Sequence, residues 1–457
     1  MQPALRPLSR RTLLKGAGAA VVGSALFTDE HTPPGGGSTT RYVSVFGSDS
    51  GPGTEAAPWH SLARVRAALR EGELRRGDAV LLKRGDTFFG TLHEPSIQGT
   101  AGVFTVGAYG TGPRPKVSGY KISKAAWTQH AKGIWKLDIT ARSGQYRGNT
   151  AAPSTNVGFL KVAGLIRGGK RTSLEALENQ WDFYSDEAFV YVSSSFAPGD
   201  GVAIAVQQDG FRPASHSILD GIHIEGHGAH GIATGGSENI RIRNCRLEDL
   251  GGSQLASDGT RYGNGVEVWI GASNIVIENS TIRECYDVAF TMQGTATKEA
   301  KAWTDIHFRN NRVENCNQTF EMWSAGEATP GSGHIRCMFN HNICVNAGYS
   351  WAATLRPDRE GKGTHILTYD TELPMDVEVT RNQFIRARDS YLNISGDKKP
   401  PKGLNLHHNI IKLGPGTKTA YGSAETIELA ARWQARTGKE HGSTFGVLST
   451  DRCEAPA

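Results

Sequence analysis

The sequence predicts an all-β protein built as a parallel β-solenoid, with helices capping both ends. Three observations favour this class. A strand pattern containing asparagine recurs roughly every 30 residues in the second half of the 457-residue chain. A further short strand follows the variable loop after each copy. Glycine is abundant, at 56 residues, and long apolar runs are few, which indicates many short strands joined by tight turns.

The repeated pattern carries most of this prediction. Each copy alternates apolar and polar residues, as a half-buried strand does, and places an asparagine three residues before an apolar residue. The asparagines, spaced by 35, 31, 30 and 42 residues, are Asn244, Asn279, Asn310, Asn340 and Asn382. Asparagine tolerates the left-handed backbone and its amide can bond neighbouring coils, so the pattern predicts asparagines stacked at one turn. An asparagine-rich sandwich with accidental periodicity is the alternative.

The N-terminal part of the chain adds a family resemblance. Tyr42–Thr54 (YVSVFGSDSGPGT), a helical stretch at 61–70 and the phrase GDAVLL at 77–82 are similar to the opening coils of many secreted enzymes. Over most of residues 41–415 the chain resembles the pectin-lyase-like superfamily of carbohydrate-active enzymes. This resemblance implies a right-handed parallel β-helix and a carbohydrate ligand, but it identifies no single activity.

The chain divides into a targeting segment and a solenoid. Residues 1–30 carry Arg10 and Arg11 in the motif SRRTLLK, followed by a short apolar stretch, and are interpreted as a twin-arginine signal peptide. Residues 31–40 read as a flexible linker. The protein is therefore expected to be secreted by twin-arginine export.

The β-helix itself is assigned to residues 41–415. The period breaks at 120–215, which is interpreted as a small β-rich insertion packed on the flank of the helix. Residues 416–457 are assigned to a C-terminal helical cap and tail, because the stretch ETIELAARWQART within them is amphipathic.

The charge balance argues against polyanionic partners. The formal net charge is +5, but four of the 50 basic residues lie in the signal segment, which leaves 46 against 45 acids. A nearly neutral protein gives no electrostatic case for nucleic acid or an anionic membrane. The expected partner is an extracellular polysaccharide or oligosaccharide, with no membrane span; the oligomeric state stays open.

The strands after the variable loops predict an active site. Aligned on their alternation, they place Glu267 and Glu321 on the outer face of the solenoid, each followed two residues later by a tryptophan, Trp269 or Trp323. Two coils separate the glutamates, so their backbones should lie about 9–10 Å apart. That spacing suits an inverting glycosidase, which holds acid and base roughly 6.5–9.5 Å apart. Indole faces suit the C–H faces of sugar rings.

Further residues are assigned to the same face. Asp287 opens the intervening strand and is a third catalytic candidate. Phe290 is expected between the glutamates, where its ring would raise the pKa of the acid. The remaining candidates for substrate binding are Asp258, Arg261, Asn264, Gln293, His334 and Arg356. Histidines at 216–230 are interpreted as solvated loop residues, and no metal site is assigned.

Three functions fit these observations. The favoured one is a glycoside hydrolase using the carboxylate pair, with no cofactor. The second is a polysaccharide lyase or uronate epimerase, in which a basic residue such as Arg261, Lys298, Lys301, His334 or Arg356 abstracts a proton and Ca²⁺ bound by the acids neutralises the uronate. The third is a non-catalytic carbohydrate-binding solenoid.

Overall fold

The chain folds into a right-handed parallel β-helix, as the sequence predicts. The computed structural model describes residues 38–93, 97–256, 259–356, 361–394 and 401–449. Each full coil adds one strand to each of three parallel sheets, which we number 1, 2 and 3 in the order in which the chain visits them. The expected signal peptide, most of the expected linker and the end of the expected tail lie outside the described residues.

The strands of the three sheets are short and stack in register along the solenoid. Sheet 1 contains Thr40–Val43, Ala79–Lys83, Phe104–Tyr109, Ser217–Asp220, Glu238–Arg243, Ser273–Glu278, Ala302–Arg309, Gly333–Ile335, Cys337–Asn340, Val377–Thr380 and Leu404–His407. Sheet 2 contains Thr87–Phe89, Lys116–Ser118, His223–His227, Arg246–Leu250, Thr281–Cys285, Arg312–Glu314, Ile343–Ala347, Gln383–Ala387, Ile410–Leu413 and Thr444–Val447. Sheet 3 contains Leu92–His93, Phe211–Arg212, Ile232–Thr234, Val266–Trp269, Val288–Thr295, Gln318–Ala325, Thr364–Thr371, Ser390–Asn393 and Lys418–Ala420.

Antiparallel strands interrupt one coil between its sheet 2 strand Lys116–Ser118 and its sheet 3 strand Phe211–Arg212. Five of them form one sheet: Tyr120–Ser123, Tyr146–Gly148, Val157–Val162, Leu165–Arg167 and Ala203–Val206. Four form another: Thr128–Ala131, Ile134–Asp138, Phe183–Ser185 and Phe189–Ser193. Phe159 of this insertion packs against Trp351 of the solenoid, with ring centroids 5.0 Å apart. A separate hairpin pairs Ser253–Gln254 with Arg261–Tyr262.

Helices are few and short. Leu62–Glu71 begins after Ser61, whose hydroxyl accepts a hydrogen bond from the Arg64 amide, and ends at Gly72 with φ of 73°. The others are Ala352–Leu355, the 3₁₀ turn Ile427–Leu429 and Ala430–Thr437. Trp433 of the last helix is buried in the hydrophobic core of the solenoid. Within the described part of the chain no helix is long and apolar enough to cross a membrane.

One continuous core fills the inside of the coils, because every strand directs alternate side chains inward. Aromatic rings stack along it: Phe320 lies parallel to Phe339 at 4.7 Å, and Phe290 packs on Phe308 at 4.9 Å. The five described cysteines are buried and free of disulfide bonds: Cys245, Cys285, Cys316, Cys337 and Cys344.

Asparagines occupy two adjacent positions at the turn between sheets 1 and 2. Asn244, Asn279 and Asn310 adopt the left-handed backbone, with φ of 55°, 52° and 56°. The stacked asparagines lie one residue after this left-handed position. Their side chains are buried, and each amide is hydrogen-bonded to the next along the solenoid. We call these four residues the asparagine ladder: Asn311, Asn342, Asn382 and Asn409. The predicted column therefore mixed two positions, and Asn340, which ends a strand, belongs to neither.

Candidate active site

A groove of about 1160 Å³ runs over the outer face of sheet 3. Its floor is made by the strands Val266–Trp269, Val288–Thr295, Gln318–Ala325 and Thr364–Thr371. Arg76 and His93 line it at the N-terminal coils, and Tyr369 and Asp370 line it towards the C-terminal coils. The groove therefore crosses several coils and can hold an extended ligand.

Two outward columns of side chains form the middle of the groove. In the first, Thr291 separates Glu267 from Glu321, with Leu367 on the next coil. In the second, the paired residues are Trp269, Gln293, Trp323 and Tyr369. Both predicted glutamates and both predicted tryptophans therefore face outward, two coils apart.

The predicted register of the intervening strand was wrong by one residue. Phe290 pairs with Val266 and Phe320, which all point inward, and its side chain is completely buried in the core. Thr291 takes the position that had been assigned to Phe290. Phe290 therefore cannot contact a ligand in the groove or shield a carboxylate there.

The alternation of residues 351–355 (WAATL) predicts the next strand of sheet 3, and this prediction is wrong. Ala352–Leu355 is a short helix, and the next sheet 3 strand is Thr364–Thr371. This strand brings Tyr369 beside Trp323 and Leu367 beside Glu321. Arg356, which follows the helix, is buried and donates to Asp287 instead of lining the groove.

Glu267 is held as a hydrogen-bond acceptor. The side-chain amide of Asn264 donates to its Oε2 at 2.6 Å, and that of Gln293 donates to both carboxylate oxygens at 3.0 and 2.9 Å. His230 Nδ1 lies 3.9 Å from Oε2. Burial raises the pKa of Glu267, while His230 and the two amides oppose that rise.

Glu321 has fewer hydrogen-bond partners than Glu267, and its pKa is shifted further. Its side chain is 5% exposed, and the Tyr369 hydroxyl donates to it at 3.3 Å. Burial, followed by the negative charge of Asp287, raises the pKa of Glu321 to about 8, against an opposing effect of Lys362. Both causes favour the protonated form of this carboxyl.

Asp287 lies at the edge of the same cluster. Arg356 Nη1 donates to its Oδ1 at 3.0 Å, and Arg356 also donates to the Tyr286 carbonyl. Asp287 lines the groove while Arg356 is buried behind it. The ion pair keeps a negative charge near Glu321 without placing a free cation in the groove.

Aromatic side chains form one wall. The rings of Trp269 and Trp323 lie 6.2 Å apart at 49°, and Tyr369 stacks on Trp323 at 6.3 Å and 19°. Trp269 is 42% exposed, which is costly for an indole unless a ligand covers it.

The remaining predicted residues divide into three groups. Arg261, Asn264 and Gln293 line the groove; Arg261 donates to the carbonyls of Gly252 and Gly158. His334 does not reach it, because its ring is buried and stacks on Trp303 at 4.3 Å, and burial lowers its pKa to about 4. Asp258 lies outside the described residues.

Sequence reasoning missed several groove residues. His230, interpreted as a solvated loop residue, lines the groove beside Glu267, and its ring packs on Tyr262 at 5.0 Å. His227, from the same group, is fully buried. Arg76, His93 and Arg212 reach the groove from loops and strand ends, for which no repeat pattern exists.

The described residues contain two groups with the spacing of metal ligands. One is His223, Glu225 and Glu248, and the other is His407, His408 and His441. No member of either group lines the groove. The groove carboxylates Glu267, Asp287 and Glu321, which the sequence offers as Ca²⁺ ligands, do not form such a group among the described residues.

Comparison with known proteins shows likeness in fold. A family profile described as "Right handed beta helix region" matches residues 193–384. The structure of XylC in complex with xylose aligns with a TM-score of 0.52 at 12% identity, covering 83% of this chain and 69% of that one. Pectate lyase Pel9A aligns at 0.48 with 13% identity, covering 90% and 78%. A GH136 lacto-N-biosidase from Eubacterium ramulus aligns at 0.44 with 13% identity, covering 90% and 67%.

No curated protein shows significant similarity to the sequence. The three parallel sheets, the stacked turn residues, the family profile and the likeness to the XylC structure lead to one conclusion. The chain is a right-handed parallel β-helix protein.

Proposed function

We propose that the protein is a secreted polysaccharide-degrading enzyme, a glycoside hydrolase that acts with inversion. Glu321 is the general acid and Glu267 the general base. One observation carries this assignment: two buried carboxyls face the same groove from one outward column, and their surroundings differ in the way that acid and base roles require.

The acid role follows from the protonation of Glu321. A general acid must hold its proton until the glycosidic oxygen takes it, and its pKa should lie near or above the working pH. Burial and Asp287 raise the pKa of Glu321 to about 8. The Tyr369 hydroxyl donates to the carboxyl and fixes its orientation.

The base role follows from the donors around Glu267. Two side-chain amides donate to it, and amide N–H groups favour the ionised form of a carboxyl. A fixed carboxylate can accept a proton from a water molecule that attacks the anomeric carbon. Asn264 and Gln293 therefore act as positioning residues for the base.

The spacing supports inversion. Glu267 and Glu321 are separated by the coil that carries Thr291, so their backbones lie about 10 Å apart. Side chains that lean towards each other would bring the carboxyls into the roughly 6.5–9.5 Å range of inverting enzymes, which leaves room for water, whereas retaining enzymes need about 5 Å. The neighbouring indoles of Trp269 and Trp323 offer stacking surfaces for sugar rings.

A lyase or uronate epimerase is the second candidate, favoured by the arginines Arg76, Arg212 and Arg261 along the groove. Guanidinium groups suit uronate carboxylates. In this case Glu267, Asp287 and Glu321 would hold Ca²⁺. Two basic candidates from the sequence lose support, because Arg356 is paired with Asp287 and His334 is in the core.

The test is a screen of bacterial, plant and algal polysaccharides with wild type, Glu267→Gln and Glu321→Gln. We expect new reducing ends, products without ultraviolet absorbance, and a loss of turnover of roughly 10²–10⁴-fold in each variant. Nuclear magnetic resonance of the first-formed anomer reports inversion. Glu55→Gln, an exposed glutamate outside the groove, is the control and should keep full activity.

Three results would contradict this proposal in different ways. Unsaturated products that require Ca²⁺ would favour the lyase. Ligand binding without turnover in the wild type would favour a carbohydrate-binding solenoid. Retention of anomeric configuration would exclude the proposed acid and base spacing.

Export is a separate part of the proposal and rests on the motif containing Arg10 and Arg11. Changing both to lysine should trap the protein in the producing cell, as fractionation would report. Continued secretion of that variant would exclude the twin-arginine route without bearing on the activity.

A further inference from the structure

Three histidines meet at the C-terminal coils, away from the groove. His407 ends the last strand of sheet 1, His408 follows in the left-handed turn with φ of 53°, and His441 pairs with His407 through an isolated parallel bridge. One ring nitrogen from each lies within 4.8 Å of one from each of the others. We call these residues the histidine cluster.

The closest contact within it joins two ring nitrogens of the same kind. His407 Nδ1 and His408 Nδ1 are 2.8 Å apart. The ring of His441 stacks on that of His407, with centroids 4.9 Å apart at 18°. At 2.8 Å one of the two Nδ1 atoms donates a hydrogen bond to the other, so both ring nitrogens are directed at the same point between the rings.

A carboxylate fixes the tautomer of the central histidine. Glu378, one coil earlier, lies within hydrogen-bond distance of His407 Nε2 through its Oε2. Donation of the Nε2 proton to this carboxylate leaves Nδ1 of His407 as an acceptor, which faces His408 and lies 3.1 Å from the Thr380 hydroxyl. Metal-binding histidines commonly donate their second N–H to a carboxylate in this way, which increases the basicity of the ligand.

We propose that the histidine cluster binds one divalent first-row metal ion, with Zn²⁺ as the representative case. Ring nitrogens at about 2.0–2.1 Å from tetrahedral Zn²⁺ lie roughly 3.3 Å apart. The cluster reaches that geometry when the His407 and His408 nitrogens, now 2.8 Å apart, separate by about half an ångström and the His441 nitrogen moves closer by up to about 1.5 Å. His408 and His441 are exposed, so the fourth position is open to water.

The location indicates a structural role. An ion there joins the turn at 407–408 to the chain at 441 and so closes the segment between them, which includes the helix Ala430–Thr437. That segment forms the last coil, and none of the three histidines lines the groove. Bound metal would therefore hold the C-terminal end of the solenoid and leave the groove unchanged.

Isothermal titration of the EDTA-stripped full chain with ZnCl₂ at pH 7.5 tests the proposal. We expect one ion per chain, and a midpoint of thermal unfolding that rises by a few degrees with saturating metal. His408→Ala and His441→Ala should each weaken binding at least tenfold and abolish the thermal shift. Both residues are exposed, so these substitutions spare the core, which circular dichroism would verify.

A matched control lies in the equivalent turn of an earlier coil. His341 occupies the corresponding left-handed position, with φ of 56°, two coils before His408. His341→Ala should bind Zn²⁺ as the wild type does. The proposal fails if the wild type binds no stoichiometric Zn²⁺, or if His408→Ala and His441→Ala bind it as tightly as His341→Ala. Neither result would bear on the groove, whose activity is measured separately.

Discussion

The asparagine ladder and the groove both stack polar side chains coil upon coil, yet only the ladder satisfies itself. Asn342 receives hydrogen bonds from the backbone and the side chain of Asn311, and donates to Asn382 at 3.0 Å and to the Phe308 carbonyl at 3.0 Å. An amide is both donor and acceptor, so identical amides complement one another when stacked.

The carboxyls of the groove have no such complement in their own column. Glu267 depends on amides from Asn264 and Gln293, and Glu321 on the Tyr369 hydroxyl. Ionised carboxylates only accept hydrogen bonds, and their charges repel. Burying them therefore lowers the stability of the folded state, and no other residue of the same column offsets this loss. The repeated asparagines of the ladder therefore indicate a role in stability. The buried acidic residues of the groove column, which do not stabilise one another, indicate a role in function.

The largest effect should come from breaking the ladder. Asn342→Leu removes both hydrogen-bonding functions of the side chain, so the backbone N–H of Asn311 loses its acceptor. The Asn311 amide, the Asn382 Oδ1 and the Phe308 carbonyl each lose one hydrogen bond. We expect the free energy of unfolding to fall by roughly 3 kcal/mol or more, since each lost hydrogen bond is worth about 1 kcal/mol and an unsatisfied buried donor costs about 1–3 kcal/mol. Urea denaturation followed by circular dichroism measures it.

Asn342→Ser is the matched comparison, because Ser280 already occupies the ladder column two coils earlier and accepts from the Cys245 amide. A hydroxyl keeps part of the hydrogen bonding, so this variant should lose less stability than Asn342→Leu. Equal losses would mean that side-chain volume matters at this turn and that the hydrogen bonds do not.

In the groove, by contrast, a substitution is expected to increase the free energy of unfolding. The folded-state pKa of Glu321, about 8, lies above its unfolded value of 4.5, so the native state binds the extra proton and loses stability as pH rises between these values. Glu321→Gln removes this penalty. Its free energy of unfolding at pH 8.5 should exceed that of the wild type by a few kcal/mol and by at most about 5 kcal/mol, because each unit of the pKa shift is worth about 1.4 kcal/mol, with little difference at pH 4.

Denaturation at both pH values measures this effect, and Glu55→Gln, at an exposed glutamate outside the groove, is the matched control. A Glu321→Gln variant that is less stable than the wild type at pH 8.5 would mean that the carboxylate is better accommodated than its burial suggests. The expected combination of higher stability and lost turnover would mark Glu321 as a residue kept for chemistry.

The sequence predicted the fold because the strands of sheet 1 repeat their alternation visibly. It predicted Glu267, Glu321, Trp269 and Trp323 correctly as outward residues. It failed at the strand Val288–Thr295, where Ala289, Phe290, Thr291 and Met292 are all completely buried. When both faces of a strand are covered, alternation no longer distinguishes inside from outside, and a one-residue slip exchanges the faces.

The strand Thr364–Thr371 was missed for a related reason. Its inward positions include Thr364 and Thr368, and His365 is also completely buried. The His365 ring is paired with the Thr319 hydroxyl at 3.0 Å. Polar residues at buried positions of a strand leave no apolar pattern, so Tyr369 could not be placed beside Glu321 from sequence alone.

A smaller effect is expected from the aromatic wall. Trp269→Ala should raise the Michaelis constant about tenfold with a lesser change in turnover, because stacking of a sugar on an aromatic ring is worth roughly 1–2 kcal/mol. Initial-rate kinetics on the best substrate of the screen measure it. Phe46→Ala, which removes an aromatic side chain that is 88% exposed outside the groove, should change neither constant. A loss of turnover alone would place Trp269 in the chemistry instead of in binding.

The smallest effect tests the electrostatics around the acid. Asp287 raises the pKa of Glu321 and Lys362 lowers it, so the two charges should move the alkaline limb of the pH–rate profile in opposite directions. Asp287→Asn lowers the pKa, and the limb shifts to lower pH; Lys362→Gln raises it, and the limb shifts to higher pH. Each shift should be about one pH unit or less. Because the two variants differ in sign, a general loss of structure cannot imitate the pair, and shifts in the same direction would exclude Glu321 as the group that sets the limb.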